Sequence, residues 1–160
     1  MLEPVELYTE YAMVIGQVDP DGRRLSDILN TSSHLSLRDA RSISMVDGVE
    51  GEEGHGWTRC AIDEILLAMP PEHVSPRQLR VNKRQRRVRV RTGPYTVLGT
   101  AHALPGVPLD HYTLRSRMRF LALTSALVSS TTDPLWERKA AVVLASVRAM
   151  TDLSEVLTIS

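Results

Sequence analysis

The chain repeats itself, and a repeat restricts the fold more than composition does, because both passes of the sequence must build the same unit. Val5-Glu6-Leu7-Tyr8-Thr9 through Val14-Ile15-Gly16 recurs as Val88-Arg89-Val90-Arg91-Thr92 through Val97-Leu98-Gly99, at a constant offset of 83. After one inserted residue, Gly22 aligns with Gly106 and Leu25 with Leu109. Leu35–Ala40 then aligns with Leu121–Ala126, Trp57–Ala61 with Trp136–Ala140, and Ala68-Met69 with Ala149-Met150. These matches fall in one order and include both tryptophans, which implies a duplicated unit over roughly residues 5–70 and 88–153.

Within each unit the pattern is strand-like. Val5, Leu7 and Thr9 alternate with Glu6 and Tyr8, and Val88, Val90 and Thr92 alternate with Arg89 and Arg91; a period of two marks a half-buried strand. Asp19-Pro20-Asp21-Gly22 and Leu104-Pro105-Gly106 are turn chemistry at equivalent places. The prediction is a mainly all-β protein made of two tandem small β-barrels. The first occupies residues 1–70, a basic linker over 71–87 leads into the first strand of the second, and the second occupies 88–160. Domains of about 65 residues bury only about 60% of their unfolded surface, so the units are expected to pack on each other or on a partner.

Two segments stay open between helix and strand. Residues 25–30 read as a helical turn or as a strand leading into Leu35. Over 134–150, Asp133-Pro134 followed by Trp136, Ala140, Val143, Val147 and Met150 reads as a capped amphipathic helix as well as a strand. The duplication favours strands there and in the counterpart segment 57–69. Asp47–Gly56, with four glycines and the acids Glu50, Glu52 and Glu53, predicts an exposed loop that the second unit shortens to Ser129–Pro134.

The formal net charge of zero is a cancellation: residues 1–76 sum to −9 and residues 77–160 to +9. The units share apolar positions and differ mainly in charge. From Arg77 to Arg91 no acid interrupts a basic run that includes Arg84, Arg86, Arg87, Arg89 and Arg91. On a strand, Arg87, Arg89 and Arg91 project from one face while Val88 and Val90 enter the core. Arg115, Arg117 and Arg119 form a second comb of the same spacing.

The element order resembles the Sm/LSm-like small β-barrel. Val5-x-Leu7, Gly16, Leu25-Ser26-Asp27-Ile28-Leu29-Asn30 and Leu35-x-Leu37-x-Asp39-Ala40 stand in that family's order. The Leu-Ser-Asp-x-Leu-Asn phrase also resembles uncharacterised small bacterial domains. The resemblance implies a barrel fold and, at Asn30, a base contact to RNA. The family's Arg-Gly loop is replaced by Ile62-Asp63-Glu64-Ile65 and Leu144-Ala145-Ser146-Val147, and Leu114 stands where the first unit has Asn30.

For function, the basic residues Arg84, Arg86, Arg87, Arg89, Arg91, Arg115, Arg117 and Arg119 have two candidate partners. One is an acidic protein surface, for which Glu50, Glu52, Glu53 and Glu64 of the other unit are the obvious model, docked within the chain or head to tail between molecules. The other is RNA or single-stranded nucleic acid, bound through phosphates with Asn30 as a base contact, although only Tyr95 and Tyr112 lie near enough to stack. Catalytic, cofactor and metal residues are not expected. No Gly-x-Ser-x-Gly elbow or phosphate loop occurs, and His34, His55, His73, His102 and His111 are scattered, with only His102 and His111 placed to meet. Cys60, the single cysteine, excludes an intrachain disulfide and fits a reducing compartment. With no basic-apolar leader and no apolar run of about 20 residues, the expectation is a cytoplasmic, non-enzymatic assembly or adaptor protein without a membrane span. It is expected to act through protein–protein contacts as a homo-oligomer or with other subunits.

Overall fold

The computed structural model describes residues 1–51, 53–70, 84–103 and 118–156, with the backbone alone at 84, 85 and 103. The first repeat forms β1 (Glu3–Tyr8), β2 (Ala12–Val18), β3 (His34–Ser44), β4 (Trp57–Ala61) and β5 (Leu67–Met69). The second forms β6 (Arg84–Thr92), β7 (Tyr95–Ala103), β8 (Phe120–Ser130), β9 (Glu137–Ser146) and β10 (Met150–Glu155). Helix α1 (Leu25–Thr31) precedes β3, and a 3-10 turn over Ile62–Glu64 links β4 to β5. The helical reading of 25–30 therefore holds, with Leu25, Ile28 and Leu29 buried. The basic segment 71–87 already enters β6 at Arg84.

All ten strands belong to one antiparallel sheet in the order β10-β6-β7-β8-β9-β5-β1-β2-β3-β4. Among the described residues the sheet does not close on itself; β10 and β4 are its two ends. Each repeat contributes its strands in the same order: fifth, first, second, third, fourth. The repeats meet where β5 pairs with β9, Leu67 opposite Ala145 and Ala68 opposite Leu144.

Strand registers in the two halves can be compared position by position. Val5 pairs with Gly16 as Val88 pairs with Gly99. The ladder shifts between Ile15 and Gln17 and again between Leu98 and Thr100, at those two glycines. A Cβ on Gly16 would lie 3.2 Å from the Leu37 Cβ, and one on Gly99 2.9 Å from the Leu123 Cβ. Opposite these bulges Asp39 and Ser125 hold left-handed backbones, φ 52° and 47°. Leu37 is therefore equivalent to Leu123, as the sequence alignment has it.

Two of the sequence matches are corrected by the ladders. Leu37 pairs with Thr58 and Leu123 with Val143, so Trp57 corresponds to Val142 and not to Trp136. Leu7 pairs with Ala68 and Val90 with Leu153, so Ala68 corresponds to Leu153 and not to Ala149. Both errors come from matching rare residues across a stretch whose hairpin differs in length between the repeats.

The helical alternative for 134–150 is also corrected, because Glu137–Ser146 is β9. Val143 and Ala145 enter one apolar core while Leu144 enters the other. A strand covered on both faces carries consecutive apolar residues, and such a run loses the alternation that distinguishes it from a helix. The described residues of 47–56 form the exposed, irregular loop expected, and it runs alongside β3. Gly51 N–H donates to the Ser42 carbonyl at 2.8 Å and Gly54 N–H to that of Ala40 at 2.8 Å, an irregular continuation of β4 along β3.

Two cores lie against the sheet, and each takes residues from both repeats. Val88, Val90, Val97, Leu121, Leu123 and Val143 are packed with Tyr8, Leu66, Leu67 and Met69 of the first repeat. Val5, Leu7, Ile28, Leu29, Leu35 and Leu37 are packed with Phe120 and Leu144 of the second. The side chains that face outward from one repeat complete the other.

Candidate functional site

The junction between the repeats is the most elaborated polar and aromatic site in the described residues. Tyr8 and Tyr95, both fully buried, meet edge to face with ring centres 5.6 Å apart, and Trp136 lies 5.6 Å from Tyr8. The Tyr8 hydroxyl donates to Glu6 Oε2 at 3.0 Å, and the Tyr95 hydroxyl to the Thr9 carbonyl at 2.6 Å. Arg138 of β9 grips Glu6 of β1 with two bonds, Nε to Oε2 at 3.2 Å and Nη2 to Oε1 at 3.0 Å. Burial, reinforced by the Glu6 carboxylate, pushes the Tyr8 hydroxyl well above its ordinary pKa. Burial alone pushes Tyr95 up to about 12. A groove of about 270 Å³ opens beside the clamp, lined by Glu6, Met69, Arg138 and Val142. Its one carboxylate and one guanidinium are already bonded to each other.

At the other side of the junction Asn30, at the end of α1, reaches across the repeats. Its Oδ1 accepts the N–H groups of Arg119 at 2.8 Å and Phe120 at 3.0 Å, while its Nδ2 donates to the Ser26 carbonyl at 2.8 Å. Arg119 donates to the Ser32 carbonyl at 2.8 Å and to Asp63 at 3.0 Å, and Arg148 adds a 3.4 Å contact to the same carboxylate. Two residues singled out by sequence for nucleic acid or acidic partners, Asn30 and Arg119, thus meet each other.

The remaining arginines divide by strand face. Val88 and Val90 are fully buried, and Arg89 and Arg91 are exposed on the other face of β6, as the alternation requires. Arg87 shares their face but donates to the Ser125 carbonyl at 2.8 Å and to Thr100 at 3.3 Å. Arg86 is on the Val88 side, away from that comb, with its Nε buried. Arg115, Arg117 and the Arg84 side chain lie outside the described residues. Glu50 bridges to Ile43 beside β3, and Glu53 is exposed nearby. Glu64 is exposed in the 3-10 turn. Glu52 lies outside the described residues. The structure therefore brings Arg89 and Arg91 together at the β10 end of the sheet and Glu50 and Glu53 together at the β4 end, with no contact between the two groups.

Sequence reasoning missed the clamp and the aromatic cluster. Tyr8 occupies an outward position on an alternating strand, and a large aromatic there is the one signal of a covered outer face. Cys60 is half-buried on β4, where burial and then Glu64 raise its thiol pKa. His102 Nε2 lies 2.8 Å from the Thr124 hydroxyl, and His111 lies outside the described residues. Among the described residues no cluster of three His, Cys, Asp or Glu side chains is arranged for a metal. No helix there is long and apolar enough to cross a membrane.

Fold and junction together define the class: a mainly β protein in which the described strands of both halves of the chain share one open antiparallel sheet. Compared with family models, with curated proteins and with solved structures, the chain gives no match.

Proposed function

We propose that the protein is a non-enzymatic assembly or adaptor component, oligomeric and acting through protein–protein contacts, built from two tandem Sm-like units. The observation that carries this is the open sheet. Its end strands β4 and β10 have no strand on their outer sides among the described residues; Glu50 and Glu53 lie beside β4, which itself carries Arg59, and Arg89 and Arg91 lie beside β10, which itself carries Asp152 and Glu155. Unpaired strand edges are templates for pairing with another chain, and opposite charges at the two ends favour a defined orientation. The tandem-unit reading is supported by the shared strand order and by the matched bulges at Gly16 and Gly99. Helix α1 departs from the Sm resemblance, which places the Leu25–Asn30 phrase in a strand.

RNA binding has less support. Arg87, Arg119 and Asn30 already hold bonds within the fold, and Tyr95 is fully buried and offers no stacking face. Among the described residues that leaves Arg89 and Arg91 as exposed arginines of the basic run. The test is sedimentation of the full chain over a range of concentrations. Species larger than one chain are expected at low salt, and they should dissociate as the salt approaches about 1 M, where the Debye length is about 3 Å. A single-chain mass at every concentration and salt, with no protein recovered on affinity capture, would overturn the proposal.

A further inference from the structure

We infer that the two open ends of the sheet fit each other: β4 of one molecule pairs with β10 of a second copy at the register of the internal β5–β9 junction, with the charges of its clamp inverted. This rests on the assembly reading and names its partner and surfaces.

Ladder equivalence makes β4 the counterpart of β9 and β10 the counterpart of β5. Transposing the internal pairs Leu67–Ala145 and Ala68–Leu144 sets Asp152 opposite Cys60 and Leu153 opposite Arg59. In an antiparallel ladder, diagonal neighbours on one face are within reach of long side chains. Here those diagonals join Arg59 to Glu155 and Trp57 to Leu153. Trp57 is 54% exposed on its end strand, and Val49 nearby is 62% exposed.

The clamp transposes as well. Glu6 corresponds to Arg89. Arg138 pairs with Val128, whose counterpart Ser42 accepts the Gly51 N–H, so the position of Arg138 falls at Gly51, between Glu50 and Glu53. The internal clamp has its acid on the first repeat and its base on the second. Between molecules the base, Arg89, is on the second repeat and the acids are on the first. The transposed position is itself a glycine, and the acids that would meet Arg89 are supplied by its exposed neighbours in the 50–53 segment, of which Glu50 starts from the opposite face of the strand.

Composition distinguishes the two junctions. Tyr8, Leu67, Phe120 and Leu144 seal the internal one and are buried. Their counterparts at the open ends are Arg91, Asp152, His34 and Arg59, all exposed. An apolar junction is permanent; a charged one is reversible and weakened by salt. The contact is head to tail, so repetition makes a ring if the rotation closes and a filament if it does not.

The experiment uses sedimentation of three full-length proteins at low salt: wild type, Arg89→Glu with Arg91→Glu, and Glu50→Arg with Glu53→Arg. Circular dichroism melting verifies that these exposed substitutions leave the fold intact. Wild type should associate and each variant alone should associate at least about tenfold more weakly. An equimolar mixture of the two variants should recover association, because each then meets ends of opposite sign. Undiminished association of the separate variants would overturn this junction while leaving the assembly reading standing. A single-chain wild type would overturn both. Association abolished by nuclease would assign the ends to nucleic acid and overturn the inference.

Discussion

Asn30 satisfies two backbone donors of the opposite half of the chain with one oxygen. In Asn30→Ala the N–H groups of Arg119 and Phe120 lose that acceptor, and an unsatisfied buried donor costs about 1–3 kcal/mol. Urea denaturation should show a loss of that size, with no change in the circular dichroism of the folded state. Gly99 is a second such point. Its Cβ would meet the Leu123 Cβ at 2.9 Å, against 3.2 Å for Gly16 and Leu37. Gly99→Ala should cost about 1–3 kcal/mol as an overpacking change, and Gly16→Ala less, by the same measurement. Tyr95 provides a pH signature. Its folded pKa of about 12 is above the ordinary 10.0, so the folded state holds the proton more tightly than the unfolded chain does. The stability this contributes is complete below pH 10 and is lost as pH rises towards 12. Tyr95→Phe should therefore flatten the fall in urea midpoint between about pH 10 and pH 12.

At the scale of elements, β9 and β5 tie the two halves of the sheet together. β9 sends Val143 and Ala145 into one core and Leu144 into the other, and β5 does the same with Leu67 and Ala68. A strand buried on both faces couples whatever lies on each side of it. Unfolding should then be one transition, with tryptophan fluorescence and far-ultraviolet circular dichroism coincident in urea. Leu144→Ala should lower the stability of the whole chain by about 2–5 kcal/mol, and the two probes should still coincide. Separate midpoints for fluorescence and dichroism would show that the repeats fold independently.

For the whole molecule, the unequal treatment of equivalent surfaces matters most. The faces that meet inside the chain are apolar, whereas the matching faces at the ends carry Arg91, Asp152, His34 and Arg59. Charged edge residues both discourage indiscriminate strand pairing and, where signs oppose, select a partner. Salt-dependent association, rather than aggregation, is the expected outcome.

The sequence by itself determined the strand character of Val5–Thr9 and Val88–Thr92, the division of Arg87, Arg89 and Arg91 from Val88 and Val90, and the opposition of charge. These follow from local periodicity and from counting, neither of which depends on knowing what lies across a sheet. Only the tertiary structure decided that Trp57 answers to Val142, that β9 is a strand, that Asn30 bonds to the backbone of the other repeat, and that Glu6 meets Arg138. The physical reason is the same in each case. Register is set by hydrogen bonds between segments far apart in sequence, and a strand covered on both faces loses the alternation by which sequence reveals it. The charge asymmetry that sequence could only count acquires a location once the ladders show which surfaces the internal junction covers and which equivalent surfaces it leaves open.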